Sequence, residues 1–336
     1  MKKYLLGLLC FSLIGCEQIH NLFSKQKKEE TSFPPTAVGV LISGTANPFF
    51  AEAYQSFQNY GKAIPELTVL AADAENNQEI QFTELDKMLN EGVQAIIINM
   101  VDVKQADKVI EKLRSREIPV VFYNRSPAQN VLFSYDKAVF LDGDAVQGGV
   151  LQGLDVLQQW KQHPEWDKNK DGVIQFAMLT GIEGNPSAIA RTKWSIGTMS
   201  SYPELAHKTQ QIALESASFR ANIANEITRS WIEQGLIQDI EVILANNDTM
   251  AIGALEALKQ AGIKKPVFGI DATPQALALL KSGELAGTVL NDAKTQAEVA
   301  LQVVANLAHN HRATEGIDYK MEYQTILIPY HLIDNK

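Results

Sequence analysis

Short apolar runs rich in Val, Ile and Leu recur along the first half of this chain, at Val38 to Ile42, Thr68 to Ala71, Ala95 to Ile98, Pro119 to Tyr123 and Val139 to Leu141. Between them lie segments such as Ile80 to Leu89 and Ala106 to Leu113, whose apolar residues recur at spacings of three and four, the period of one helix face. Repeated strand and helix units of this kind predict a parallel sheet covered by helices on both faces. The pattern restarts in the second half, at Ile174 to Leu179, Gln211 to Leu214, Val242 to Leu244, Val267 to Ile270 and Thr288 to Leu290. The expected fold is therefore α/β, with two doubly wound parallel-sheet domains. Size agrees, since roughly 300 residues exceed what one hydrophobic core usually organises.

The start of the chain follows another pattern. Lys2 and Lys3 precede a ten-residue apolar run from Leu5 to Ile14, closed by Gly15-Cys16. Ten residues fall well short of the ~20 that a helix needs to span a bilayer, so the segment is expected to be an export signal, residues 1–15, that is removed. Leu13-Ile14-Gly15-Cys16 resembles the bacterial lipobox, in which the cysteine is lipidated and becomes the new N-terminus. Cys10 leaves with the signal, so Cys16 remains alone and no disulfide is expected. Acyl chains worth ~0.8 kcal/mol per buried methylene would hold the protein at a membrane of the cell envelope, in the periplasm, through the lipid only. Residues 16–36, polar and ending in Pro34-Pro35, are expected to be a flexible tether.

Composition narrows the partners. The apolar fraction of 46% supports real cores, and a net charge of -9 with no cluster of Lys and Arg beyond the tether argues against nucleic acid.

In doubly wound sheets ligands lie beyond the carboxyl ends of the strands. The residues there are polar: Asn99 after Ile98, Thr180 to Asn185 after Leu179, Asn246-Asn247-Asp248 after Ala245, Asp271 after Ile270, and Asn291-Asp292 after Leu290. Carboxamides and carboxylates in this position suit a ligand rich in hydroxyl groups, and they equally suit the capping of the helices that follow. There is no Gly-rich phosphate loop, no Ser-His-Asp signature, and no zinc spacing among His163, His207, His309, His311 and His331, so no enzyme is expected.

The strings Ala245 to Asp248, Val267 to Ala272 and Ala286 to Ala293 resemble the galactose/glucose-binding protein family of bacterial sugar ABC transporters, type I periplasmic binding proteins, here in lipoprotein form. Asn99 to Asp102, Val120 to Asn124 and Ala190 to Thr192 fall in the same order and spacing. The resemblance implies two sheet domains joined by a three-strand hinge, 37–143 plus 291–326 and 144–290 plus 327–336, closing on one hexose for a membrane permease and, in the family, a chemoreceptor. The protein is expected to act as a monomer; a sensing role without transport is the rival expectation. The family's sugar contacts fall on Asn99, Arg191, Asn247, Asp271 and Asn291, with Phe49 and Phe219 stacking on the sugar faces. Phe219 stands where the family has a tryptophan, Asn47 and Ser187 replace aspartates, and Asn185 replaces a histidine. These changes imply a shifted choice among epimers or anomeric substituents.

Asp167, Asn169, Asp171, Val173 and Gln175 occupy positions one, three, five, seven and nine of a calcium loop, with Gly172 at the turn. Met178 stands at position twelve, where a glutamate is expected. The resemblance assigns that ligand to Glu241 and implies a structural calcium ion.

Overall fold

Alternate residues of each strand face opposite helical layers, which is why the strands are apolar throughout. In the computed structural model, which describes residues 35–333, β1 (Thr36–Ile42), β2 (Leu67–Asp73), β3 (Ala95–Ile98), β4 (Val120–Tyr123) and β5 (Ala138–Gly143) pair in parallel in the order β5-β4-β3-β1-β2. Val38, Val40, Ile42, Ile97 and Val121 pack on one side against Phe57 of the Pro48–Ala63 helix and Ala300 and Val304 of the Ala293–Ala308 helix. Leu41, Ile96, Ile98 and Val120 pack on the other against Leu85, Val109 and Leu113. Full burial of such a side chain stabilises by about 1.5–3 kcal/mol, so both faces are needed.

The second lobe repeats the scheme. β6 (Val173–Thr180), β7 (Lys208–Ser216), β8 (Val242–Ala245) and β9 (Val267–Phe268) form a four-stranded parallel sheet in the order β7-β6-β8-β9. Trp231, Ile243, Met250 and Leu258 fill one side, and Leu157, Phe176, Met178 and Phe268 the other.

The last strands depart from the apolar pattern. β10 (Val289–Leu290) pairs antiparallel with β13 (His331–Leu332), β11 (Met321–Glu322) pairs antiparallel with β12 (Thr325–Ile328), and β12 lies parallel to β5. The sheets are thus mixed at their edges, in pieces of two to four residues too short to show a period. These strands help to make the hinge. The chain crosses between lobes after Gly143, after Leu290 and after Ile328, around a small core of Ile270, Val289 and Tyr330. Gly143 is required there by close approach, because a Cβ on it would lie 2.2 Å from the Tyr330 ring.

The expectations for the export signal, Cys16 and nearly all of the tether fall outside the described residues. Among the described residues no helix is long and apolar enough to cross a membrane.

Asp248, fully buried, locks the ends of the second sheet together. It accepts hydrogen bonds from Thr288 Oγ1 at 2.6 Å, from the Thr273 backbone N–H at 2.7 Å and from Thr273 Oγ1 at 3.1 Å. Burial, reinforced by the charge of Asp271, raises its pKa to about 8. An acid whose pKa is raised by folding stabilises fully below its unfolded value, and that contribution is lost as pH rises through the folded one. Stability measured by denaturant should therefore fall as pH rises from about 4 to about 8 and level off above, and Asp248→Asn should flatten that slope; parallel profiles for the two proteins would refute this account.

Candidate functional site

A cleft of about 990 Å³ opens between the lobes at the carboxyl ends of their strands. Nine of the ten residues expected to touch ligand line it: Asn47, Phe49, Asn185, Ser187, Arg191, Phe219, Asn247, Asp271 and Asn291.

Asn47, Asn185 and Asn247 each cap a helix that points at the cleft. Their Oδ1 atoms accept from the backbone N–H groups of Phe49 at 2.9 Å, Ala188 at 2.9 Å and Met250 at 3.0 Å. The capping and binding roles of strand-end amides are compatible, because the cap uses the carbonyl end and leaves the NH2 group as a donor. An aspartate at position 47 could cap equally well but would offer only acceptors.

Arg191 lies deeper, on the Pro186–Ser201 helix, and is 5% exposed. Its Nη1 donates to the Asn246 carbonyl at 2.8 Å and its Nη2 to Tyr330 Oη at 2.6 Å, while Asp271 Oδ1 lies 3.5 Å from Nη1. Burial works against the charge, but Tyr330, Asp271 and Asp142 outweigh it and hold the guanidinium protonated. Its Nε is buried with no hydrogen-bond partner. Asp271 in turn accepts from Asn291 Nδ2 at 3.1 Å, and burial raises its pKa to about 6 against the pull of Arg191. Asn291 is held by Gln296 Nε2 at 2.6 Å.

Phe49 packs edge-on against Phe50, with ring centroids 5.7 Å apart. The Phe219 ring lies over Gly181 so closely that a Cβ there would approach it to 2.1 Å. Backbone strain gathers at the same place: Asn124, Ser218, Phe219, Asp271 and Ala272 all have positive φ, with Asp271 at 122°. Non-glycine residues in that region carry an energetic cost that function commonly explains.

Asn99 is the exception. Its Oδ1 accepts from the Ser43 N–H at 3.2 Å and its Nδ2 donates to the Tyr123 carbonyl at 2.9 Å. Both ends of the amide tie β1 to β4, and the residue does not line the cleft. Residues in and behind the cleft wall escaped the strand-end list, four of them prominent in its hydrogen bonding. Asn124 and Arg125 follow β4 and line the wall, and Asp142, near the end of β5, sits behind it. Strand position could have flagged these three. Tyr330 arrives through the hinge and carries no local signal.

The loop at Asp167 to Gln175 closes as the spacing requires. Lys170 and Gly172 have φ of 62° and 70°, Gly172 N–H donates to Asp167 Oδ2 at 3.0 Å, and Val173 N–H donates to Asp171 Oδ1 at 2.8 Å. Glu241, just before the neighbouring strand β8, reaches the loop and accepts from the Lys168 N–H at 2.8 Å. Asp167 Oδ1 and Gln175 Oε1 are buried without partners. Burial, then repulsion from Asp167 and Asp171, raises the pKa of Glu241. Among the described residues no three His, Cys, Asp or Glu side chains converge as a metal cluster. The oxygen donors here are mixed, with amides and a carbonyl beside the carboxylates, a set that fits a hard cation better than zinc.

Comparison with known proteins agrees with the geometry. The chain is 38% identical over 297 residues to the D-galactose/methyl-galactoside binding periplasmic protein MglB of Haemophilus influenzae, covering 88% of this chain and 89% of that one. It is 26% identical to the ribose import binding protein RbsB of Bacillus subtilis, over 97% of this chain and 99% of that one. The structure matches that of an ABC transporter solute binding protein from Bacillus halodurans with bound myo-inositol, with a TM-score of 0.70, 26% identity, and coverage of 90% of this chain and 95% of that chain. Residues 38–312 match the profile of the periplasmic binding protein domain, and the chain belongs to that family of solute-binding, non-enzymatic proteins.

Proposed function

We propose that this protein is an exported lipoprotein that binds one hexose of the D-galactose/D-glucose type between its lobes and delivers it to an ABC permease. The observation that carries this is Arg191, its buried Nε without a partner and its Nη1 3.5 Å from the Asp271 carboxylate, in a cleft lined by several amides and two phenylalanine rings. A neutral polyol supplies what that wall lacks: oxygens that accept from Arg191 and hydroxyls that donate to Asp271, with C–H faces for Phe49 and Phe219. The likeness to a galactoside-binding relative supports the hexose class. Asn47, Asn185, Ser187 and Phe219, where the residue types differ from those of the resembled family, shift selection among epimers and anomeric substituents.

Ligand contacts come from both lobes, so the ligand favours the closed arrangement by the difference in contacts it makes there. The joint surface formed on closure is what a permease, or a chemoreceptor, recognises.

Calcium belongs to the same proposal, as a structural ion held by Asp167, Asn169, Asp171 and Gln175 side-chain oxygens, the Val173 carbonyl and Glu241. Cys16 carries the lipid.

Isothermal calorimetry with glucose, galactose and methyl-galactosides should show binding by at least one of them, and Arg191→Ala should weaken it by about tenfold or more; no heat from any hexose would overturn the assignment. Binding at 100 times the dissociation constant contributes about 2.7 kcal/mol, so a chelator should lower Tm by about 5 to 10 °C and calcium should restore it. An unchanged Tm would remove the ion from the account. In detergent phase partition the full-length protein should follow the detergent and Cys16→Ser the water; a wild type already found in the water phase would exclude the anchor.

A further inference from the structure

Behind the wall of the cleft, Asp142 is buried at 4% exposure and does not itself line the cavity. It accepts three hydrogen bonds: from the Gly143 N–H at 2.7 Å, from Asn124 Nδ2 at 3.0 Å and from Ser187 Oγ at 3.1 Å. Asn124 and Ser187 do line the cleft, one from each lobe.

An ionised carboxylate only accepts, so the partners on either side of it have no choice of polarity. Ser187 must turn its proton to Asp142, which leaves the lone pairs of Oγ for the cleft. Asn124 must present its NH2 group to Asp142, which leaves Oδ1 for the cleft. Ser187 thereby offers the cleft lone pairs and no free proton, and Asn124 has its amide turned so that Oδ1 remains as an acceptor beside its second N–H. The capping asparagines behave in the opposite sense, since their carbonyl ends are held by helix N–H groups and their NH2 ends remain. At position 187 a serine stands with a carboxylate directly behind it.

We propose that Asp142 is a positioning residue for specificity, forcing Ser187 and Asn124 to act as hydrogen-bond acceptors so that this corner of the cleft admits a ligand hydroxyl that donates and rejects a group that cannot. This deepens the proposed function and holds only if the cleft takes a hexose. The side chain acts through its neighbours and makes no ligand contact of its own.

Burial raises Asp142 to about 7, with Arg191 opposing, so the test is set where the carboxylate is ionised. The probes are the hexose that binds and its monofluoro-deoxy series, measured by calorimetry at about pH 8. Fluorine replaces each hydroxyl in turn with a group of similar size that cannot donate. At one ring position wild type should lose about tenfold or more in affinity on fluorination. In Asp142→Asn the new amide donates to Ser187 Oγ, which frees the serine proton for the cleft, and the loss at that position should shrink to within about threefold. Ser187→Ala keeps the bonds of Asp142 to Gly143 and Asn124 and should also weaken the discrimination, which serves if the first variant does not fold. A general structural role would lower affinity for all probes alike and leave their ratios unmoved; unchanged ratios in the folded variants overturn the proposal while the hexose assignment stands. Failure of wild type to bind any hexose overturns both.

Discussion

Arg191 brings a permanent positive charge into the seam between two lobes, and the groups around it are arranged to hold that charge away from water. A buried ion is costly unless charge and hydrogen bonds compensate it together. Here the compensation comes from the Asn246 carbonyl of the second lobe, the Tyr330 hydroxyl of the hinge, and the Asp271 carboxylate. The planar guanidinium satisfies these directions at once, which a lysine could not do. The Nε atom is left buried without a partner, on a side chain that lines the cleft. The same side chain therefore ties the second lobe to the hinge while lining the cleft.

The wall around that donor has a definite polarity. Three helices begin at the cleft behind asparagine caps, so their amides show NH2 groups, whereas Asp142 turns Ser187 and Asn124 the other way. Polarity is set by what stands behind each group, not by residue type, since asparagine and serine both donate and accept. Strain serves the same end. Ser218, Phe219 and Asp271 keep positive φ because tight packing holds them, as with the Phe219 ring seated over Gly181.

The Asp167 to Gln175 loop shows the complementary case, in which local sequence nearly suffices. Glycine and oxygen-bearing residues at short fixed spacing curl the backbone by themselves, and two buried oxygens are left without partners. Glu241 immediately precedes β8 and is close only because β8 lies beside β6.

Apolar runs and helical periods announced two doubly wound lobes, since strands covered on both faces must be apolar throughout and their helices must be amphipathic. The rule that ligands lie beyond strand ends pointed to Asp271, Asn247 and Asn291 for the same reason, as that position depends on chain direction alone. Asn99 obeyed the rule and still faces away from the cleft, because the carbonyl of Tyr123 and the N–H of Ser43 reach its amide first. Tyr330 and Asp142 entered the site only once β12 had paired with β5 and the chain had crossed between the lobes. Contacts between residues 139 positions apart, such as Arg191 with Tyr330, leave no periodicity in a linear chain; packing alone brings them together.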